Sequence, residues 1–279
     1  MSAAEIITTH YTHGSLFEAI SKGAGVMGKS VDQLSIDQLA AVDEFHIGGR
    51  VATQALLDQL RLEPGMHLLD VGCGIGGSSR FASATYNCQV TGVDLTQEYV
   101  DTGNRINQCL GLNSCIRLLQ ANATALPDTA DTYDAAIMLH VGMNIEDKVS
   151  LAAEVFRVLR PGACLGIYDV MRTGQGDLEF PVPWAQESSG SFVSSPEDYK
   201  FALQQAGFTL EAERDRTAFA LDFFQQLKAA TANSGGPPAL GLHILMGSTA
   251  AQKVKNMVGN ISREIISPIE LIARKPGVR

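Results

Sequence analysis

Between Leu68 and Phe81 the chain reads LLDVGCGIGGSSRF. The short apolar run His67–Val71 ends in Gly72, Gly74, Gly76 and Gly77, and residues 78–85 continue at helical spacing. A buried strand that turns through glycines into a helix is the opening unit of a parallel α/β sheet. Such a turn needs backbone at positive φ. A ligand can also approach the main chain closely where Cβ is missing.

The pattern then repeats. Residues 88–94 (CQVTGVD) read as a strand and residues 96–110 as a helix with Thr96 at its N-cap. Residues 115–120 and Tyr133–Leu139 are further strands. Residues 146–159 form an amphipathic helix that Pro161-Gly162 stops, and residues 163–170 are a fifth strand. Alternation at this spacing predicts a doubly wound, mostly parallel sheet covered by helices on both faces. Pro196–Ala206 is expected to be a helix and residues 208–214 a strand. Thr217–Ser234 and residues 248–259 read as helices around the break GGPPALG, and residues 269–273 as a last strand. The expectation is a seven-stranded α/β sheet with a helical N-terminal segment and a helical cap insertion. Residues 1–60, broken by Gly23, Gly25, Gly28 and Gly48-Gly49, would close over the ligand. Residues 61–170 would be the binding core, and residues 171–279 the substrate loop, cap helices and last two strands.

Composition narrows the partners. A net charge of −9 argues against a nucleic-acid backbone, which needs a basic face. The five cysteines form no C-x-x-C pair, and an odd count suits a reducing compartment. The N-terminus lacks the basic start and apolar run of a signal peptide, and no stretch approaches the length of a membrane span. The expected location is the cytoplasm, with no membrane partner. The six histidines show no H-x-x-x-H or H-E-x-x-H spacing, so no metal is expected. No G-x-S-x-G nucleophile turn occurs.

Gly72, Gly74 and Gly77 fit the dinucleotide pattern G-x-G-x-x-G, so the loop alone leaves a nicotinamide enzyme open. Two acids weigh against that. Asp70, two residues before Gly72, would repel a pyrophosphate, yet it suits the ammonium of a methionine moiety. Asp94 ends the next strand and can accept from both ribose hydroxyls, a role that nicotinamide sites share.

LLDVGCGIGGSSRF, VTGVDLT, ANATALP, YDAAIMLHV and FRVLRPGACLGIYD, in this order, resemble the successive motifs of class I S-adenosylmethionine-dependent methyltransferases over about residues 56–170. DEFHIGG near Glu44 and MLHVGMNIEDK near His140 resemble the small-molecule branch that includes sarcosine/dimethylglycine methyltransferases and related tocopherol and sterol enzymes. The resemblance implies a Rossmann-like methyltransferase fold with S-adenosylmethionine as methyl donor. Asp70, Gly72 and Gly74 would hold the methionine part, with Cys73 and Gly76 in the same loop. Asp94 would hold the ribose, Leu95 would lie against the adenine, and Leu139 would face the methionine chain. The family usually has Gly-Asp-Ala where this chain has Ala121-Asn122-Ala123. Asn122 would accept from the adenine amino group without charge, and the Ala123 N–H would meet a ring nitrogen.

Ligands in such sheets bind outside the carboxyl ends of the strands. His140 follows the fourth strand and is the expected catalytic residue, with a packing or cofactor-contact role as its alternative. Tyr11, His46, Met143, Asn144, Arg172 and Trp184 are the expected acceptor contacts. Asp169 could equally anchor a loop, and Arg172 could equally be an exposed cation. The partner is a small-molecule methyl acceptor, with amine N-methylation favoured. O- or C-methylation of a hydroxyl, quinone or isoprenoid compound is the runner-up. A non-catalytic binding module and a homodimer stay open.

Overall fold

The computed structural model describes residues 2–234 and 238–277. Four helices precede the sheet: α1 (Ala3–Tyr11), α2 (Leu16–Val26), α3 (Ile36–Asp43) and α4 (Gly49–Leu57). Ser2 with Glu5 and Ser35 with Gln38 form capping boxes that start α1 and α3. Then come β1 (His67–Val71), α5 (Gly77–Tyr86), β2 (Gln89–Asp94), α6 (Gln97–Cys109), β3 (Ile116–Gln120), β4 (Tyr133–Leu139), α7 (Lys148–Val158) and β5 (Leu159–Arg172). The chain ends with α8 (Pro196–Ala206), β6 (Thr209–Asp215), α9 (Thr217–Ser234), α10 (His243–Met246), α11 (Ala250–Ser262) and β7 (Ile266–Arg274).

The seven strands form one sheet in the order β3-β2-β1-β4-β5-β7-β6. The first five run parallel, and β7 lies antiparallel to both β5 and β6. This is the doubly wound, mostly parallel sheet that the sequence predicts. Side chains alternate across it. Leu69, Met138 and Leu165 point to the layer with α7 and α8, and Leu68, Ile137 and Cys164 to the layer with α4 and α5. The chain leaves β1 and β4 in opposite lateral directions, so their carboxyl ends frame a switch-point crevice.

One boundary differs. The fifth strand starts at Leu159, directly after α7, and not at residue 163. Leu159 pairs with Tyr133 and Cys164 with Ala135, so Pro161-Gly162 sits inside a bulge. Proline lacks the ladder donor, and a bulge is where a strand tolerates that.

The late segments also differ from the expected cap. Trp184 is 1% exposed and packs with Val170, Ala220, Met257 and Ile261 in an apolar layer beneath the loop after β5. Its indole N–H donates to Ser191 Oγ at 2.9 Å. A large aromatic gains most from full burial, and this layer gives Trp184 that together with a partner for its one donor. Of the late helices, α10 reaches the crevice, through Leu245. Gly235-Gly236-Pro237 of the GGPPALG break lie outside the described residues.

Candidate active site

The loop after β1 is strained in a way that glycine relieves. Gly72 has φ +71°, and a Cβ there would lie 2.3 Å from Val141 Cγ2. Gly74 has φ +55°, yet a Cβ there would meet only Tyr99 at 3.9 Å, so its open side faces the cleft. Gly76 instead backs onto Leu118 and Arg80, away from the cleft.

Both acids shape this loop. Asp94 Oδ2 accepts the Gly74 N–H at 2.9 Å and Oδ1 accepts the Thr96 N–H at 2.8 Å. Thr96 holds the N-cap position of α6 without a side-chain capping bond, and Asp94 holds the backbone N–H of that N-cap residue. Asp70 is 2% exposed and accepts from Ser79 Oγ at 2.6 Å. Burial pushes its carboxyl up to about 7, against the pull of Ser79 and with a further push from Glu44 and Asp94.

The crevice opens to solvent, and the free space in and in front of it, solvent included, is about 970 Å³. The fold brings Tyr11, His46, Asp70, Gly72, Cys73, Gly74, Asp94, Leu95, Asn122, Ala123, Leu139, His140 and Asn144 to its walls. Gly76, Met143, Arg172 and Trp184 stand outside it. Met143 joins the Trp184 layer, and the Arg172 guanidinium donates to the Gly176 carbonyl at 2.9 Å. Sequence reasoning passed over Asp43, Phe45, Ser78, Tyr99 and Leu245, which also line the crevice. Asp43 and Phe45 lie within or beside DEFHIGG, a usable signal, whereas nothing local marks Leu245.

The N-terminal segment forms one wall. Glu98, at the start of α6, accepts the backbone N–H groups of His13, Gly14 and Leu16, which fastens the α1–α2 turn. Tyr11 OH donates to Asn144 Oδ1 at 3.3 Å, and burial pushes its phenol well up, so it stays protonated. Tyr11 stands edge-on to Tyr99 (5.7 Å between ring centres) and to Phe45 (6.5 Å).

Two histidines lie deeper. His140 has φ +54°, and its N–H donates to the Tyr168 carbonyl at 2.7 Å. Its Nε2 is buried without a partner, and burial, with His46 close by, holds the imidazole well below the ordinary histidine range. The His140 ring lies 5.0 Å from Tyr168 and 6.0 Å from His46. Asp169 is a loop anchor, the second of its two expected roles. It accepts from Gly142 N at 2.7 Å, Tyr199 OH at 2.8 Å and Val170 N at 2.9 Å.

Asn122 does not offer a free acceptor. Its Oδ1 accepts both the N–H (3.0 Å) and the hydroxyl (2.9 Å) of Thr124, which fills both lone pairs. This Asx turn explains why an asparagine fits the loop after β3. Among the described residues no group of three or more histidine, cysteine or acidic side chains is arranged to hold a metal. Among them, too, no helix is long and apolar enough to cross a membrane.

Comparison with known proteins agrees with this geometry. The methyltransferase domain family matches residues 68–162. A phosphoethanolamine N-methyltransferase of Triticum aestivum is 32% identical over 171 residues, covering 61% of this chain and 33% of the relative. A cycloartenol-C-24-methyltransferase of Arabidopsis thaliana is 25% identical over 247 residues, covering 78% of this chain and 74% of the relative. A geranyl diphosphate C-methyltransferase of Streptomyces coelicolor A3(2), solved with S-adenosyl-L-homocysteine, superposes with a TM-score of 0.71 at 19% identity, over 99% of this chain and 98% of that one. This chain spans about a third of the wheat relative's length.

Proposed function

We propose that the chain, whose residues 68–162 match the methyltransferase domain family, is a class I S-adenosylmethionine-dependent methyltransferase that methylates a small-molecule acceptor, an amine nitrogen in first place. The observation that carries this reading is the pairing, at one switch point, of a glycine loop flanked by Asp70 and Asp94 with a cleft that ends on His46 and His140. The cradle fits the donor: Gly74 leaves open the space that a side chain would fill, and Asp70 is buried with the Ser79 hydroxyl, and no ion pair among the described residues, on its carboxylate.

When bound, S-adenosylmethionine supplies a methyl group on a positively charged sulfur. Asp70 meets the ammonium of its methionine part, with the backbone of Gly72, Cys73 and Gly74 alongside. Asp94 accepts from the ribose, and Leu95 and Ala123 border the adenine. Tyr11, Phe45 and Tyr99 present rings that favour a cation in the cleft. Residues 2–60 cover the site, residues 61–170 bind the donor, and the described residues from 171 on buttress the acceptor end. Among known relatives both an N- and a C-methyltransferase stand out. The aromatic rings favour the amine, since they suit a substituted ammonium. His140, neutral in its buried setting, orients the acceptor.

Calorimetry with S-adenosylmethionine and, separately, with NAD tests the donor. The methyl donor is expected to bind and NAD is not. Asp70 adds a diagnostic. Its carboxyl keeps its proton up to about pH 7, and a cation beside it favours the ionised form. Donor binding at pH 6 should therefore expel roughly one proton, seen as a dependence of heat on buffer ionisation. Affinity should climb as pH rises to about 7 and level off above it. Incubation with methyl-labelled donor and a panel of small amines, phenols and isoprenoids then identifies the acceptor. Tight NAD binding without methyl-donor binding overturns the assignment.

Asn122→Asp supplies the acceptor oxygen that Thr124 now uses up. One carboxylate oxygen keeps the Asx turn and the other is free for the adenine amino group. Donor affinity is expected to rise by about 1–2 kcal/mol, roughly 5- to 30-fold. Unchanged affinity would remove residue 122 from the adenine edge.

A further inference from the structure

The segment Asp43–Gly49 holds a buried polar chain that the donor site does not use. Gly48 and Gly49, at φ +88° and +46°, fold the backbone so tightly that α4 begins directly behind His46. A Cβ on Gly48 would lie 2.4 Å from the Phe219 ring, so this turn admits no side chain. The result brings Thr53, on the second turn of α4, against both Glu44 and His46.

The direction of each hydrogen bond follows from its partners. Glu44 is 1% exposed and, as a carboxylate, only accepts. Arg50 Nε donates to its Oε1 at 2.6 Å, and Thr53 Oγ1 donates its single proton to Oε2 at 2.5 Å. Thr53 can then only accept from His46 Nε2, 2.9 Å away. The Gly49 carbonyl, 3.1 Å from the same nitrogen, is also an acceptor. Nε2 therefore carries the proton. Nδ1 is left as the bare nitrogen of a side chain that lines the cleft, and it has no bonding partner among the described residues.

We propose that His46 takes the proton that the acceptor gives up, through Nδ1, and that Glu44 and Thr53 are positioning residues that fix its tautomer and stabilise the imidazolium. The acceptor atom bonds to the methyl carbon as the sulfur–carbon pair returns to sulfur, and its proton passes to His46 Nδ1. A hydroxyl gives up its proton as the bond forms, whereas an amine that arrives as an ammonium passes a proton to Nδ1 first, which frees the lone pair that attacks the methyl carbon. The inference rests on the methyltransferase reading.

The two histidines of the cleft divide the work. Both are lowered by burial, but the charge of Glu44 pulls His46 back up, while His140 has no carboxylate against it. A pair of like groups with opposed surroundings is how one site separates a base from a neutral donor or acceptor. The groups facing His46 are Glu44 and Arg50 from its own segment and α4, His140 from the loop after β4, and Tyr168 from β5.

Nitrogen NMR on histidine-labelled protein with S-adenosylhomocysteine present reads the tautomer without any turnover. His46 is expected as the Nε2–H form. Thr53→Val, which keeps shape and cuts the relay, should yield a mixture. Kinetics on the acceptor found above should show His46→Gln slowed roughly 10²- to 10⁴-fold in kcat with donor Kd unchanged. In Glu44→Gln the acidic limb of the kcat profile should move to lower pH, because the imidazolium loses its counter-charge, and kcat should fall. If Glu44→Gln does not fold, Thr53→Val carries the same comparison. A native Nδ1–H tautomer, or wild-type turnover in His46→Gln, overturns the proposal. Donor binding without transfer to any acceptor would instead fail the methyltransferase reading, with the tautomer still deciding the relay.

Discussion

Arg80→Met is expected to destabilise the chain by about 3–5 kcal/mol, the usual result of stranding one partner of a buried ion pair. Arg80 is fully buried on α5. Its Nη2 reaches Asp43 Oδ2 at 2.8 Å and the Ile75 carbonyl at 2.7 Å, and its Nη1 reaches Asn107 Oδ1 at 2.7 Å. Methionine has similar length but no donors, so Asp43, whose carboxyl burial and Glu44 already push up, would be left either charged with no counter-ion or forced to take a proton. The pair also joins three elements that the site needs: the end of α3, the glycine loop at Ile75 and α6. A Cβ on Gly77 would lie 2.3 Å from the Asp43 carbonyl, which shows how closely the N-terminal cover rides on that loop. Thermal melts should fall by roughly 10 °C, with donor affinity reduced as well. Asp43→Asn combined with Arg80→Met should recover part of the loss, since it removes the stranded charge. An unchanged melting temperature in the single variant would mean that Asp43 holds a proton and that the pair is not ionic.

These two residues mark where local sequence stops being informative. In GSSRFASATY nothing separates Arg80 from an exposed arginine on an ordinary amphipathic helix, because its burial comes from α3, forty residues earlier in the chain. By contrast β1 and β4 were legible to the residue. Both faces of a central parallel strand are apolar, and such a run has no other stable place. Gly72 and Gly74 were legible because φ and steric access are local requirements. Trp184 was misread for the opposite reason. A loop rich in Gly, Pro and Ser looks the same whether its aromatic faces a ligand or fills a layer against α9 and α11. Asn122 lines the cleft, but its role depends on which way its amide oxygen points, and Thr124, two residues on, decides that. His46 could be singled out in DEFHIGG. Its link to Glu44 through Thr53 could not, since the link exists only once the Gly48-Gly49 turn sets α4 behind it.

Asp94→Ala is expected to weaken donor binding at least a hundredfold, because each charged hydrogen bond lost costs about 1.5–3 kcal/mol and the ribose offers two hydroxyls. The side chain has a second task, and the two must be separated. Its oxygens already hold the Gly74 and Thr96 N–H groups, so alanine also loosens the loop that receives the methionine part. Affinity alone would not tell a lost ribose contact from a disordered loop. Comparison of S-adenosylhomocysteine with its 2′-deoxy analogue does. The native chain should prefer the ribose form, because Asp94 accepts from the hydroxyl that the analogue lacks. In Asp94→Ala both forms should bind weakly and with nearly equal affinity, since the group that discriminates is gone. The difference between the two preferences is the coupling energy of residue 94 with that hydroxyl, free of the loop contribution common to both ligands. A preference that survives in Asp94→Ala would confine this carboxylate to loop building and move ribose recognition to another residue of the cleft.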